Sequence, residues 1–363
     1  MTYRSAATAL CCLQIALSAT PLQAAEFYNG KTVTFLINYE VGGSTDIEGR
    51  LVARYLAKHI PGHPNLIVRN MGGGGGLTAT NYMGQVTPND PTQLAFFTWN
   101  PVQQLLGAEA LRVKYNEFKM VAAFPQPVVV YIRKDVPPGI EKPADIVKAK
   151  SFYAAGFNPL SHGYLRQLLS LDILGVKNTP IAGYRGNNDV ELAIQRGEAQ
   201  LSNNSLPGYR GTVEPILVKT GIVLPLYQFD TQAADGSFQG SAALPEVPTF
   251  LDVYKQLHGK TAMPSGPRWD TLVMISNIMD SMYRAVFLPP GVPNEAVADM
   301  RAAFASLASD PEFLETYSTL IGGAKPSILP GERAQTIIAG LADVDPKITD
   351  FLKLYVQEKT LAK

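Results

Sequence analysis

The chain has 363 residues, 46% of them hydrophobic and 17% charged, which is enough for two domains with a sizeable core in each and unlike a disordered polypeptide. Lys and Arg together number 31, as do Asp and Glu, so the net charge is zero and no basic run exists that could follow a phosphate backbone. This argues against nucleic acid as a partner.

The N-terminal stretch MTYRSAATALCCLQIALSATPLQAAEF has one basic residue, Arg4, an apolar run from about Ala6 to Leu17, and small residues around Gln23-Ala24-Ala25. That is the pattern of a secretory signal peptide, residues 1–25, cleaved after Ala24 or Ala25, and it places the mature protein in the periplasm. A membrane anchor needs ~20 apolar residues, and Gln14, Ser18 and Pro21 interrupt this run. Cys11 and Cys12 both lie here, so the mature chain would carry neither a disulfide nor a free thiol. Leu10 before Cys11 disfavours lipid attachment.

The next elements form the most informative stretch. A β-rich run, TVTFLINY, ending at Tyr39, meets the turn EVGGSTD and then the helical pattern IEGRLVARYLAKHI. Gly42 and Gly43 remove the Cβ atoms that would keep a ligand off the backbone, and Ser44, Thr45 and Asp46 are all residue types that cap a helix start. First-turn N–H groups, with the helix dipole behind them, make an anion such as a carboxylate the natural guest.

A second strand-like run, NLIVRN, precedes the glycines Gly72 to Gly76. Leu77 and Thr78 stand where a phosphate-binding loop needs its Lys and Ser or Thr, so that reading fails. A dinucleotide fingerprint fits only in its permissive form, from Gly74 through Gly76 to Ala79. The remaining readings are a flexible loop or a lip of a ligand cleft, with Gly75 and Gly76 near the ligand and a helix from Thr78 adding further N–H donors. QLAFF then ends in Thr98, Trp99 and Asn100; Trp99 either stacks on an aromatic ligand or packs the hinge.

Beyond PVVVYIRK and SFYAAG, the loop FNPLSHG puts Asn158, Ser161 and His162 at the start of another helix. Ser161 can donate to and accept from an acid, while His162 is either a capping histidine or a ligand contact. The pattern recurs at GYRGNNDVELAIQRG, with Tyr184, Gly186 and Asn187 before a helix, Arg185 as an acid-pairing or merely surface residue, and Asp189 as a cap. Asn203 and Asn204 end the run QLSNNS, at the carboxyl edge of the expected sheet.

The alternation of strands and helices predicts mainly parallel sheets in two α/β domains. Crossings are expected near Ala123 to Pro127 and between Leu251 and Met282. Residues 26–124 and 270–363 would form one domain and 125–269 the other, with the C-terminal helices returning to the first.

The stretches Gly42 to Asp46, IVRNMGGGGGLTATNYMG, NPLSHGYLRQLL, GYRGNNDVELAIQRGEAQL, LPEVPTF and FLPPGVPNEAV occur in an order that resembles the substrate-binding proteins of tripartite tricarboxylate transporters, the Bug-type extracytoplasmic solute receptors. The resemblance spans nearly the whole mature chain. It implies a type II periplasmic-binding-protein fold, two α/β domains with a ligand cleft between them, and a monomer without cofactor or metal. It further implies that a small organic acid is captured and delivered to the membrane permease subunits.

The chain departs from the family pattern at Tyr39, Glu40 and Val41, where prolines are usual, at Arg69-Asn70, where the order is inverted, and in a longer segment from Val253 to Ser281. Glu40 beside the anion seat would repel a second acid group or attract a cationic one. Two alternatives remain: an accessory that presents its ligand to a sensor kinase, and a secreted enzyme on the same fold. For the latter, no G-x-S-x-G elbow is present, and Pro61 and Gly62 break any helix that could align His59 with His63.

Overall fold

The structure, a computed structural model, describes residues 26 to 361; the expected signal peptide lies outside the described residues. β-branched and aromatic residues form β1 (Thr32–Ile37), glycines turn the chain, and α1 (Ser44–Leu56) returns along the sheet. β2 (Asn65–Asn70), α2 (Leu77–Gln85) and β3 (Gln93–Thr98) repeat the unit, and α3 (Pro101–Leu105) leads to β4 (Lys119–Phe124). Past Pro125–Pro127 the chain opens a second sheet with β5 (Val128–Arg133) and β6 (Tyr153–Gly156). There follow α4 (His162–Ile173), β7 (Thr179–Ala182), α5 (Asn187–Arg196), β8 (Leu201–Ser205) and β9 (Val223–Gln228). A hairpin, β10 (Thr231–Gln232) and β11 (Phe238–Gln239), and the helices Phe250–His258 and Pro267–Ser281 precede β12 (Arg284–Leu288); β13 (Leu329–Pro330) comes last.

The first sheet has the order β13-β4-β12-β3-β1-β2 and the second β7-β6-β8-β5-β9, which makes two lobes. The expectation of mainly parallel sheets needs correction. β12 runs antiparallel to β3 and β4, β13 runs antiparallel to β4, and β5 runs antiparallel to β8 and β9. β5 and β12 are the strands that arrive from the other lobe, so each enters its sheet from the hinge end. Strands that return from a covering helix, such as β3 and β8, enter from the far end; the two-residue edge strand β13 is the exception.

Residue 270 lies within the helix Pro267–Ser281, which packs along α4 and β10 on the second lobe. We propose that the second crossing falls at Met282–Tyr283. The helices Asn294–Leu307 and Gly331–Ala339 pack on β4, in the first lobe. The last helix, Pro346–Leu361, does not stay there: its Tyr355 hydroxyl donates to Asp172 Oδ2 at 2.8 Å, and Lys359 pairs with the same carboxylate at 2.8 Å. Asp172 belongs to α4, so this helix straps one lobe to the other.

The seat of α1 on its sheet depends on Gly49. A Cβ there would meet Ile37 Cδ1 at 2.8 Å and Phe96 Cδ1 at 3.1 Å, closer than carbon atoms pack. Gly49→Leu is expected to destabilise the protein by about 1–3 kcal/mol in urea unfolding. An unchanged midpoint would show that α1 can lift off the sheet at no cost.

Candidate functional site

Three helix starts converge between the lobes. α1 begins after Gly43, α4 after Ser161 and α5 after Gly186, and none of the three has a side-chain cap. Their first-turn N–H groups are therefore open to a guest. Gly42 adopts φ +83°, a left-handed conformation that strains other residues, and a Cβ there would meet Asn188 Nδ2 of the opposite lobe at 2.9 Å.

The inner cavity is lined by Ser44, Thr45 and Thr98 from the first lobe, by Ser161, His162 and Asn187 from the second, and by Tyr283 and Arg284 at the hinge. Its volume is about 30 Å³, room for roughly two waters. A wider cavity of about 230 Å³ adjoins it at the mouth and shares Tyr39, Ser44, Thr45 and Asn187. The lobes are drawn together by Asn100 Nδ2 donating to Leu160 O at 2.8 Å, Asn188 Nδ2 to Val41 O at 3.2 Å, and Ser44 Oγ to Asn187 Oδ1 at 3.4 Å. With these contacts made, the inner cavity is too small for more than water, whereas the mouth cavity reaches the starts of α1 and α5.

The floor of the cleft is a buried ion pair that sequence reasoning missed. Arg284 opens β12, and its Nε meets Glu48 Oε2 of α1 at 2.7 Å, with both side chains at most 1% exposed. The remaining guanidinium N–H groups reach Thr98 Oγ1, Ser205 Oγ at 3.1 Å and Ser44 Oγ at 3.5 Å. Glu48 Oε1 accepts from Gln126 Nε2 at 2.8 Å and from the Tyr317 hydroxyl. The signal was available in YRAVFL: an arginine heading an otherwise apolar strand must find a counter-charge.

His162, the first residue of α4, is buried with its ring edge-on to Tyr283 at 5.1 Å. Burial, with the charges of Arg166 and Arg284, holds its pKa well below the usual imidazole range, so it stays neutral. Its Nδ1 has no partner among the described residues. Glu191 of α5, which accepts from Asn204 Nδ2 at 2.7 Å, is pushed up to about 7 by burial.

The structure brings Tyr39, Ser44, Thr45, Thr98, Ser161, His162, Asn187 and Asn203 to the inner cavity, and Gly43 and Gly186 to the mouth. The other residues singled out from sequence stand elsewhere. Trp99 is fully buried and donates its indole N–H to Met282 O, so of its two readings the geometry favours hinge packing. Asp46 is turned into its own loop, accepting from Gly42 N, Asn70 Nδ2 and Arg50 Nε. Gly75 accepts from the Tyr39 hydroxyl at 3.2 Å, and Asn158 reaches Gly74 O at 3.5 Å, so the glycine loop touches the opposite lobe while Gly75, Gly76 and Asn158 lie outside both cavities. Asn100 bridges the lobes, Asn204 faces Glu191, and Tyr184 packs, partly buried, against the apolar core. Besides Arg284 and Glu48, sequence reasoning passed over Tyr283, Tyr164 and Ser202.

No family model and no curated protein sequence matches the chain. Solved structures do. The periplasmic binding protein BugD superimposes with a TM-score of 0.66 at 16% identity, covering 90% of this chain and 98% of that one. MatC from Rhodopseudomonas palustris, with bound malate, gives 0.62 at 20% identity, covering 88% and 97%. A further R. palustris protein, with adipate, gives 0.66 at 19% identity, covering 91% and 97%. The chain has the two-lobed type II fold of these periplasmic binding proteins.

The floor pair sets a test. Arg284→Met leaves Glu48 buried and uncompensated, and is expected to cost about 3–5 kcal/mol of unfolding free energy. The double variant Glu48→Met/Arg284→Met should cost less than the single one. A double variant at least as unstable as the sum of the two singles would show that the pair contributes through contacts other than its mutual charge.

Proposed function

We propose that the chain is a periplasmic solute receptor that closes on a small organic acid and delivers it to the permease subunits of a tripartite tricarboxylate-type transporter. The observation that carries this reading is the meeting of three uncapped helix starts, those of α1, α4 and α5, in one cavity between two lobes. Backbone N–H groups there suit a carboxylate, and the hydroxyls of Ser44, Thr45 and Ser161 with the Asn187 amide complete the contacts. The same fold carries malate in one solved relative and adipate in another, which supports the class of ligand.

Closure supplies both affinity and signal. Ligand and the contacts from Asn100, Asn188 and Ser44 hold the lobes together, and a permease that recognises the closed outline would distinguish loaded from empty receptor. The lining combines neutral His162, hydroxyls and amides with cations that are already paired, an arrangement suited to binding and not to bond cleavage. Among the described residues no helix is long and apolar enough to cross a membrane.

Isothermal calorimetry of residues 26–363 against aliphatic, tricarboxylic and aromatic acids should find one bound at micromolar affinity or better. Ser44→Ala and Asn187→Ala should each weaken it by about tenfold, the effect of removing one hydrogen bond to a charged group. Folded, ligand-free protein that gives no heat with any acid would contradict the reading.

A further inference from the structure

The charges around the cleft do not cancel. Arg284 is committed to Glu48, and Arg185 is committed to Asp189 at 2.8 and 3.3 Å. Glu40 is left over. Among the described residues its carboxylate takes part in no salt bridge, and it lines the mouth cavity together with Ser44, the first residue of α1. Its position is defined by the glycine loop: a Cβ on Gly72 would sit 2.2 Å from Glu40 Oε1, so the side chain lies in the space that the glycine vacates.

The inner end of the cleft is where an acid belongs. The helix starts supply N–H donors, and His162, whose buried Nδ1 is unpartnered among the described residues, lines the same cavity. A ligand whose carboxylate sits there projects its other end toward the mouth. With two acidic ends, the outer one would face Glu40 without a free cation to balance it; with a cationic outer end, it meets an available counter-charge.

We infer that the ligand of this cleft carries one carboxylate and one ammonium or guanidinium group, with Glu40 facing the cationic end. This rests on the carboxylate reading of the cleft and narrows it to amino acids in the broad chemical sense. Glu40 is also near enough to Arg185 to favour its charge, so the rival role is a latch that closes the mouth on Arg185.

Calorimetry with matched probes separates these roles. Glutarate, 4-aminobutyrate and butyrate, with their homologues one and two carbons longer, are titrated into the wild type, Glu40→Gln and Ser44→Ala. The amino acid of the preferred length should bind at least tenfold more tightly than the diacid of that length. Glu40→Gln should weaken the amino acid about tenfold and strengthen the diacid. Loss of both in equal measure would make Glu40 a latch and overturn the assignment. Diacids that bind more tightly than amino acids, in a manner weakened by Ser44→Ala, would also overturn it while leaving the carboxylate reading intact. If no probe of any length binds, the assignment fails, and the carboxylate reading fails with it only when the tricarboxylic and aromatic acids give no heat either.

Discussion

A charge that leaves water at the bottom of a hinge must be matched where it stands, and the pairing of Arg284 with Glu48 sets much of what surrounds the cleft. Glu48 lies one turn into α1 and Arg284 heads the strand that returns from the second lobe, so their contact ties the helix behind the anion seat to the point of crossing. Gln126, from the first crossing, and Tyr317, from a C-terminal helix, complete the carboxylate's hydrogen bonds. Ser205, at the end of a second-lobe strand, takes a guanidinium N–H. One side-chain pair thus draws on both crossings and both lobes.

The pair also explains how a cleft with an arginine in its floor can leave anion recognition to backbone. With its charge balanced by Glu48, Arg284 adds little net field, and the helix dipoles and open first-turn N–H groups of α1, α4 and α5 remain to attract an acid. Such donors serve carboxylates in general. On the proposed reading selectivity falls to the rim, where Glu40, Arg185 and Asp189 leave one negative charge in excess.

Much of this was legible in local patterns. The strand, glycine turn and helix at residues 32–56 announced α1 and its open start, and the loops at 157–163 and 183–189 announced α4 and α5, because helix starts carry their signal within a few residues. What depends on contacts distant in sequence was not. The antiparallel course of β5 and β12 follows from their arrival across the hinge, which no local periodicity encodes. Trp99 looks the same in sequence whether it faces a ligand or the Met282 carbonyl. Arg284 was readable as a charge needing a partner, but Glu48 lies 236 residues away, and nothing in either segment names the other.

The most direct measurement is a crystal structure of the protein with its bound acid. The account predicts carboxylate oxygens within about 3 Å of the backbone N–H groups at Ser44 and Thr45 and of those at the start of α4 or α5, with the Arg284–Glu48 pair intact. An acid seated on Arg284 with Glu48 displaced, or bound away from the helix starts, would contradict it.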